Sequence, residues 1–167
     1  MNAERARREV ALTDTDKHGD RSQSLADPAL PDELPFMLPL APLAVMSIQQ
    51  LPPAALAYLG DAVYELYVRR FYLLPPKRLQ SYHSQVVAQV RAERQADHLR
   101  SLMPSLTETE LEFVKRGRNA ATGRPKRVDL SVYQQATSLE TLIGYLYLTN
   151  PQRLVQLLAQ LEFDRPI

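Results

Sequence analysis

The 167 residues predict an all-α domain behind an N-terminal segment without regular structure. Two observations carry this. Apolar residues recur at helical spacing in successive runs from residue 52 onward, and no β-type alternation of useful length appears. Prolines, glycines and capping residues fall between those runs. No internal repeat is visible.

The elements follow in order. Pro52-Pro53 suits a first helical turn and opens a helix through about Tyr72, with Leu56, Leu59, Val63, Leu66 and Tyr67 at helical spacing. Pro75-Pro76 ends that unit. A second helix is expected from about Tyr82 to Leu102, on Val86, Val87, Val90, Leu99 and Leu102, stopping before Pro104. Thr107-Glu108-Thr109-Glu110 is a capping-box signature and starts a helix through about Arg116. Gly117–Val128, with two glycines and a proline, reads as a basic loop. Asp129 or Ser131 caps a long helix to about Leu148. Asn150-Pro151 then starts a last helix carrying Leu154, Leu157, Leu158 and Leu161.

The net charge is +1, which looks poor for binding nucleic acid. Its distribution reverses that inference. Residues 1–50 hold five basic and eight acidic side chains, and residues 51–167 hold 15 and 11. The first segment has a polar run from Thr13 to Ser24 and many prolines after Pro28, too little apolar surface to offset the entropy of ordering. Residues 1–44 are therefore expected to be a disordered acidic tail, and 45–163 the folded domain. Glu4–Val10 lacks the apolar core of a secretory signal. No run of about 18 apolar residues exists, so no membrane span is expected. Cysteine is absent, which excludes disulfides, thiolate nucleophiles and Cys-based metal sites and suits a reducing cytoplasm.

Three carboxylates stand where carboxylates are costly. Asp61 and Glu65 are the only charged residues between Leu51 and Val68, and Glu140 is the only one between Leu130 and Thr149. Ionised acids on such apolar helices need a partner, a hydrogen bond or a metal. Gly60 precedes Asp61, and Gly144 lies one turn after Glu140. A glycine inside a helix costs about 1 kcal/mol relative to alanine, so two of them suggest a close helix crossing. Carboxylates facing across that crossing make an oxygen site for Mg²⁺, which can activate water for phosphodiester hydrolysis. The alternative is that these acids cap loops or pair with arginines such as Arg69.

A second feature lies between Lys115 and Arg127: six basic residues (Lys115, Arg116, Arg118, Arg124, Lys126, Arg127) and no acid. Asn119 and Thr122 add donors for phosphate or ribose oxygens. Such density is an electrostatic footprint for a nucleic-acid backbone, against the alternative of a solvated loop. Arg91 and Arg94 are candidates to extend it. His18, His83 and His98 have no ligand spacing. The tyrosines Tyr58, Tyr64, Tyr67, Tyr145 and Tyr147 read as core or interface.

Leu56-Ala57-Tyr58-Leu59-Gly60-Asp61-Ala62-Val63-Tyr64-Glu65 resembles the signature helix of the ribonuclease III domain family. Lys115-Arg116-Gly117-Arg118-Asn119-Ala120 and Ser138–Leu148 narrow the resemblance to Mini-ribonuclease III, the form without a double-stranded-RNA-binding domain. It covers about residues 48–162. The resemblance implies a helical homodimer that uses Mg²⁺ to cleave both strands of duplex RNA and trims 23S ribosomal RNA precursor ends in the cytoplasm. Asp61 and Glu140 match the catalytic pair, and Lys115–Asn119 the RNA-gripping segment. Larger family members carry acids where this chain has Ala57 and Thr137, so the ligand set is thin and Glu65 is a candidate for the missing oxygen. A non-catalytic module that binds structured RNA is the alternative function. A helical interaction protein without an RNA role leaves the acids and the basic run unexplained.

Overall fold

A computed structural model describes residues 45–121 and 128–164, all within the second of two units into which the chain divides, Glu33–Ile167. The expected tail 1–44 thus lies outside the described residues. So do Thr122, Gly123, Arg124, Lys126 and Arg127. Seven α-helices follow one another among the described residues: α1 (Val45–Gln49), α2 (Pro53–Tyr72), α3 (Leu79–Gln89), α4 (Ala92–Leu102), α5 (Glu108–Ala120), α6 (Leu130–Thr149) and α7 (Pro151–Leu158). The described residues contain no strand, and no helix among them is long and apolar enough to cross a membrane. The all-α expectation holds.

Helix α6 is the axis of the domain. Glu140 is its only charged residue and its buried positions fall on every side, which marks a central helix rather than an amphipathic one. Ala136–Leu139, Thr141–Gly144, Leu146 and Tyr147 are all buried. Helices α2, α4 and α5 pack around it, and Val63, Val68, Leu99, Leu142, Leu154 and Leu158 share its core. Asp129 caps α6 by accepting from the Ser131 amide, and Asn150 caps α7 by accepting from the Arg153 amide. The capping box at Thr107 is formed in both directions with Glu110.

Buried hydroxyls fasten α2 to its surroundings. Tyr64 Oη lies 3.1 Å from the Gln89 carbonyl and 2.8 Å from His98 Nδ1. The Tyr67 hydroxyl donates to Leu158 O, and that of Tyr72 to Asp164 O at 2.7 Å. Glu110, although buried, is paired with Arg153, whose guanidinium donates to both carboxylate oxygens and to Ser105 O. That bond is the main reason the Glu110 carboxyl sits below its ordinary pKa.

Three sequence expectations need correction. The helix expected from Tyr82 to Leu102 is two helices, because Val90 (ψ 4°) and Arg91 (ψ 150°) leave helical geometry. The break lets α3 pack on α2 while α4 lies along α6, and the freed Val90 carbonyl accepts from Gln95 Nε2. Helix α5 runs on to Ala120, past the expected end at Arg116. Gly117 is therefore helical rather than a flexible loop residue, and it sits against Ser138 and Thr141 of α6. Leu66, counted among the apolar residues at helical spacing, falls outside the buried face and is 50% exposed.

Candidate active site

The two glycines do set a close crossing. A Cβ built on Gly60 would overlap the Glu140 carbonyl oxygen and stand 2.8 Å from the Gly144 amide nitrogen. One built on Gly144 would overlap the Leu56 carbonyl oxygen and stand 3.2 Å from Gly60 N. Helices α2 and α6 thus touch backbone to backbone, and only glycine fits at either position. The consequence is chemical. Asp61, on the open side of α2, and the half-buried Glu140 of α6 are brought close enough for the Asp61 charge to act on Glu140.

Both carboxyls are held above their ordinary range. Burial raises Glu140 to about 7, with the Asp61 charge adding to it. Partial burial also raises Asp61, followed by the charge of Glu65. Neither acid takes part in an ion pair among the described residues. Arg69, the alternative partner considered from sequence, is engaged instead with Glu65, its Nη2 2.6 Å from Glu65 Oε1. Glu65 thus enters the site by its charge, with its carboxylate turned to Arg69.

Sequence reasoning missed one member of the site. Gln95 of α4 is 2% exposed, and its amide lies near both Asp61 and Glu140 and opposes the rise in their pKa values. A glutamine in a run as polar as Ala92–Arg100 carries no sequence signal of burial. Its place in the core comes from α4 packing along α6. Ala57 and Thr137, which the resemblance singled out as positions without an acid, are both buried. No cluster of three His, Asp or Glu side chains suited to a metal exists among the described residues, so the oxygen-rich centre consists of two acids and one amide.

The basic residues separate into two groups. Lys115, Arg118 and Asn119 are exposed on the last turns of α5. Arg116 is committed to the fold: its Nη2 donates to Leu51 O at 3.0 Å, and its guanidinium lies over Phe113, 4.7 Å from the ring centroid. Arg94 is likewise bound to Gln89, the Glu162 carbonyl and Asp164. Gly117 seats the basic end of α5 on the α6 turn that precedes and follows Glu140.

The ribonuclease III domain model matches residues 54–151. The chain belongs to the ribonuclease III family. Within it, the chain is 56% identical over 123 residues to a Mini-ribonuclease 3 of Synechocystis sp., covering 74% of this chain and 86% of that one. It is 59% identical over 119 residues to a Mini-ribonuclease 3 of Synechococcus sp., covering 71% and 86%. A crystal structure of a protein from Fusobacterium nucleatum matches with a TM-score of 0.61 and 30% identity, over 66% of this chain and 89% of that one. Membership in the ribonuclease III family through Mini-ribonuclease 3 relatives makes the chain an endoribonuclease. Asp61, Glu140 and Gln95 all lie inside the matched span.

The crowded acids give a first testable result, in the cation-free protein. Glu140 binds its proton more tightly folded than unfolded. Its contribution to stability is full below the ordinary carboxylate pKa and is lost as pH rises through about 7. Stability in EDTA should therefore fall between pH 5 and 8 by up to about 3 kcal/mol from this group. His98 acts with the opposite sign over that range, because burial holds its pKa down. The difference between wild type and Glu140→Gln in urea titrations isolates the carboxyl. A difference that stays flat with pH would mean that neither burial nor the Asp61 charge raises the Glu140 carboxyl.

Proposed function

We propose that the chain is a Mg²⁺-dependent endoribonuclease that cleaves both strands of duplex RNA, works as a homodimer and trims 23S ribosomal RNA precursor ends in the cytoplasm. The observation that supports this best is the pair of carboxylates, Asp61 and Glu140, brought within reach of each other's charge beside a glycine-on-glycine crossing. Two acids this close, with a neutral amide beside them and no basic partner among the described residues, fit a hard cation. Asp61 and Glu140 would hold it. Bound Mg²⁺ supplies a water of lowered pKa and charge for the phosphate oxygens. Glu140 releases its proton when the cation binds, so affinity rises with pH through about 7. Hydrolysis adds water across one P–O bond and leaves a 5′-phosphate and a 3′-hydroxyl.

Grip on the RNA is assigned to Lys115, Arg118 and Asn119 on α5, joined by Arg124, Lys126 and Arg127 beyond it. Arg116 serves mainly to hold α5 to Leu51. Tyr58, 85% exposed, and Leu66 lie two helical turns apart on α2, an apolar strip that a second copy would cover.

The test uses a blunt RNA duplex, its two single strands and an EDTA control. Cleavage of the duplex alone, only with Mg²⁺, is expected. Duplex binding without cleavage would leave the non-catalytic module standing, and no binding would remove both. Salt titration of duplex binding separates the basic residues. Lys115→Ala and Arg118→Ala should each reduce the slope of log affinity against log salt by about 1. Arg116→Ala should lower thermal stability and leave the slope nearly unchanged. Equal slopes in all three variants would place the RNA elsewhere.

A further inference from the structure

Gln95 is the one described residue with a buried side-chain polar atom that lacks a hydrogen-bond partner. Its Nε2 donates to the Val90 carbonyl at 3.4 Å, and the same amide lies near the carboxyls of Asp61 and Glu140 and acts on both. Its Oε1 is left unpaired, in a residue only 2% exposed. Leaving a buried acceptor unsatisfied is costly, and folded proteins seldom do so without a reason. An orphan oxygen beside two close acids has an obvious use only when positive charge or a polarised water occupies the space between them.

We propose that Gln95 is the third member of the cation site: its amide nitrogen fixes the two carboxylates, and its orphan Oε1 accepts a hydrogen bond from a water of the cation's shell. Mg²⁺ keeps several waters when few protein oxygens are offered, and such waters need acceptors. Two carboxylates are few. Gln95 is thus a positioning residue that makes a thin ligand set adequate, taking the place that Glu65 gives up to Arg69. This rests on the reading of Asp61 and Glu140 as the cation's ligands.

Gln95→Leu removes both amide functions at nearly constant volume, and Gln95→Glu adds a third carboxylate. The measurement is Mn²⁺ binding to the RNA-free protein, counted by the electron paramagnetic resonance signal of free Mn²⁺. Gln95→Leu should weaken binding 10-fold or more, within the roughly 10–100-fold range for groups behind a metal's ligands. Its melting temperature in EDTA should change little, because the unsatisfied oxygen is removed together with the long bond to Val90 O. Gln95→Glu should tighten binding roughly tenfold through added charge. A Gln95→Leu protein that melts lower and binds Mn²⁺ as wild type does has lost a purely structural residue, and the proposal falls. Should Gln95→Leu fail to fold, Gln95→Glu decides alone, and unchanged or weaker binding overturns the proposal. If the wild-type protein itself takes up no Mn²⁺, the cation reading of Asp61 and Glu140 fails first, a result distinct from the other two.

Discussion

Gly60→Ala is expected to cost more than about 4 kcal/mol and to leave little folded protein. The ordinary expectation has the opposite sign, since alanine in a helix interior is worth about 1 kcal/mol more than glycine. Here the added methyl would occupy the space of the Glu140 carbonyl oxygen, which is backbone and cannot rotate away. The same holds for Gly144→Ala against the Leu56 carbonyl. Gly117 faces partly a side chain, the Thr141 hydroxyl, so Gly117→Ala should be milder. Urea unfolding followed by circular dichroism ranks the three. A Gly60→Ala protein as stable as wild type would mean that α2 and α6 are not in contact, and that Asp61 and Glu140 are not neighbours.

Asp61→Asn is expected to reduce single-turnover cleavage of duplex RNA by at least about 10³-fold, the scale on which essential groups of one catalytic unit act. It should also stabilise the cation-free protein. The Asp61 charge is the second cause of the raised Glu140 pKa, after burial, and asparagine removes it. Glu140→Gln should behave alike, since it relieves the burial of a charge that has no basic partner among the described residues. Loss of activity with gain of stability is the signature of acids held together against their repulsion. A variant that loses both would place its residue in the scaffold.

The parts of this site legible in the sequence were those marked by something out of place. Lone acids on apolar helices, each with a glycine nearby, implied a close crossing, and the backbone contact at Gly60 and Gly144 is that crossing. The capping box at Thr107 was legible because its chemistry is local. What was not legible depends on packing between distant segments. The break at Val90–Arg91 has neither proline nor glycine to announce it, and it follows from α3 and α4 seeking different partners. Gly117 carried a breaker's signal, yet it is a packing glycine, so Arg118 and Asn119 stand on a helix. Arg116 looked like its basic neighbours until its bond to Leu51 set it apart. Gln95 was invisible because burial of a polar residue on a polar helix is decided by α6, more than 30 residues away in sequence.

The pairing of Asp61 with Glu140 is tested most directly by a double-mutant cycle on cleavage. Single-turnover rates are measured for wild type, Asp61→Asn, Glu140→Gln and the double variant, on one RNA duplex at saturating Mg²⁺. If both acids serve one cation, losing either destroys the same unit, and the double variant should be little slower than the slower single variant. Rate losses that multiply would contradict this, showing that Asp61 and Glu140 act independently.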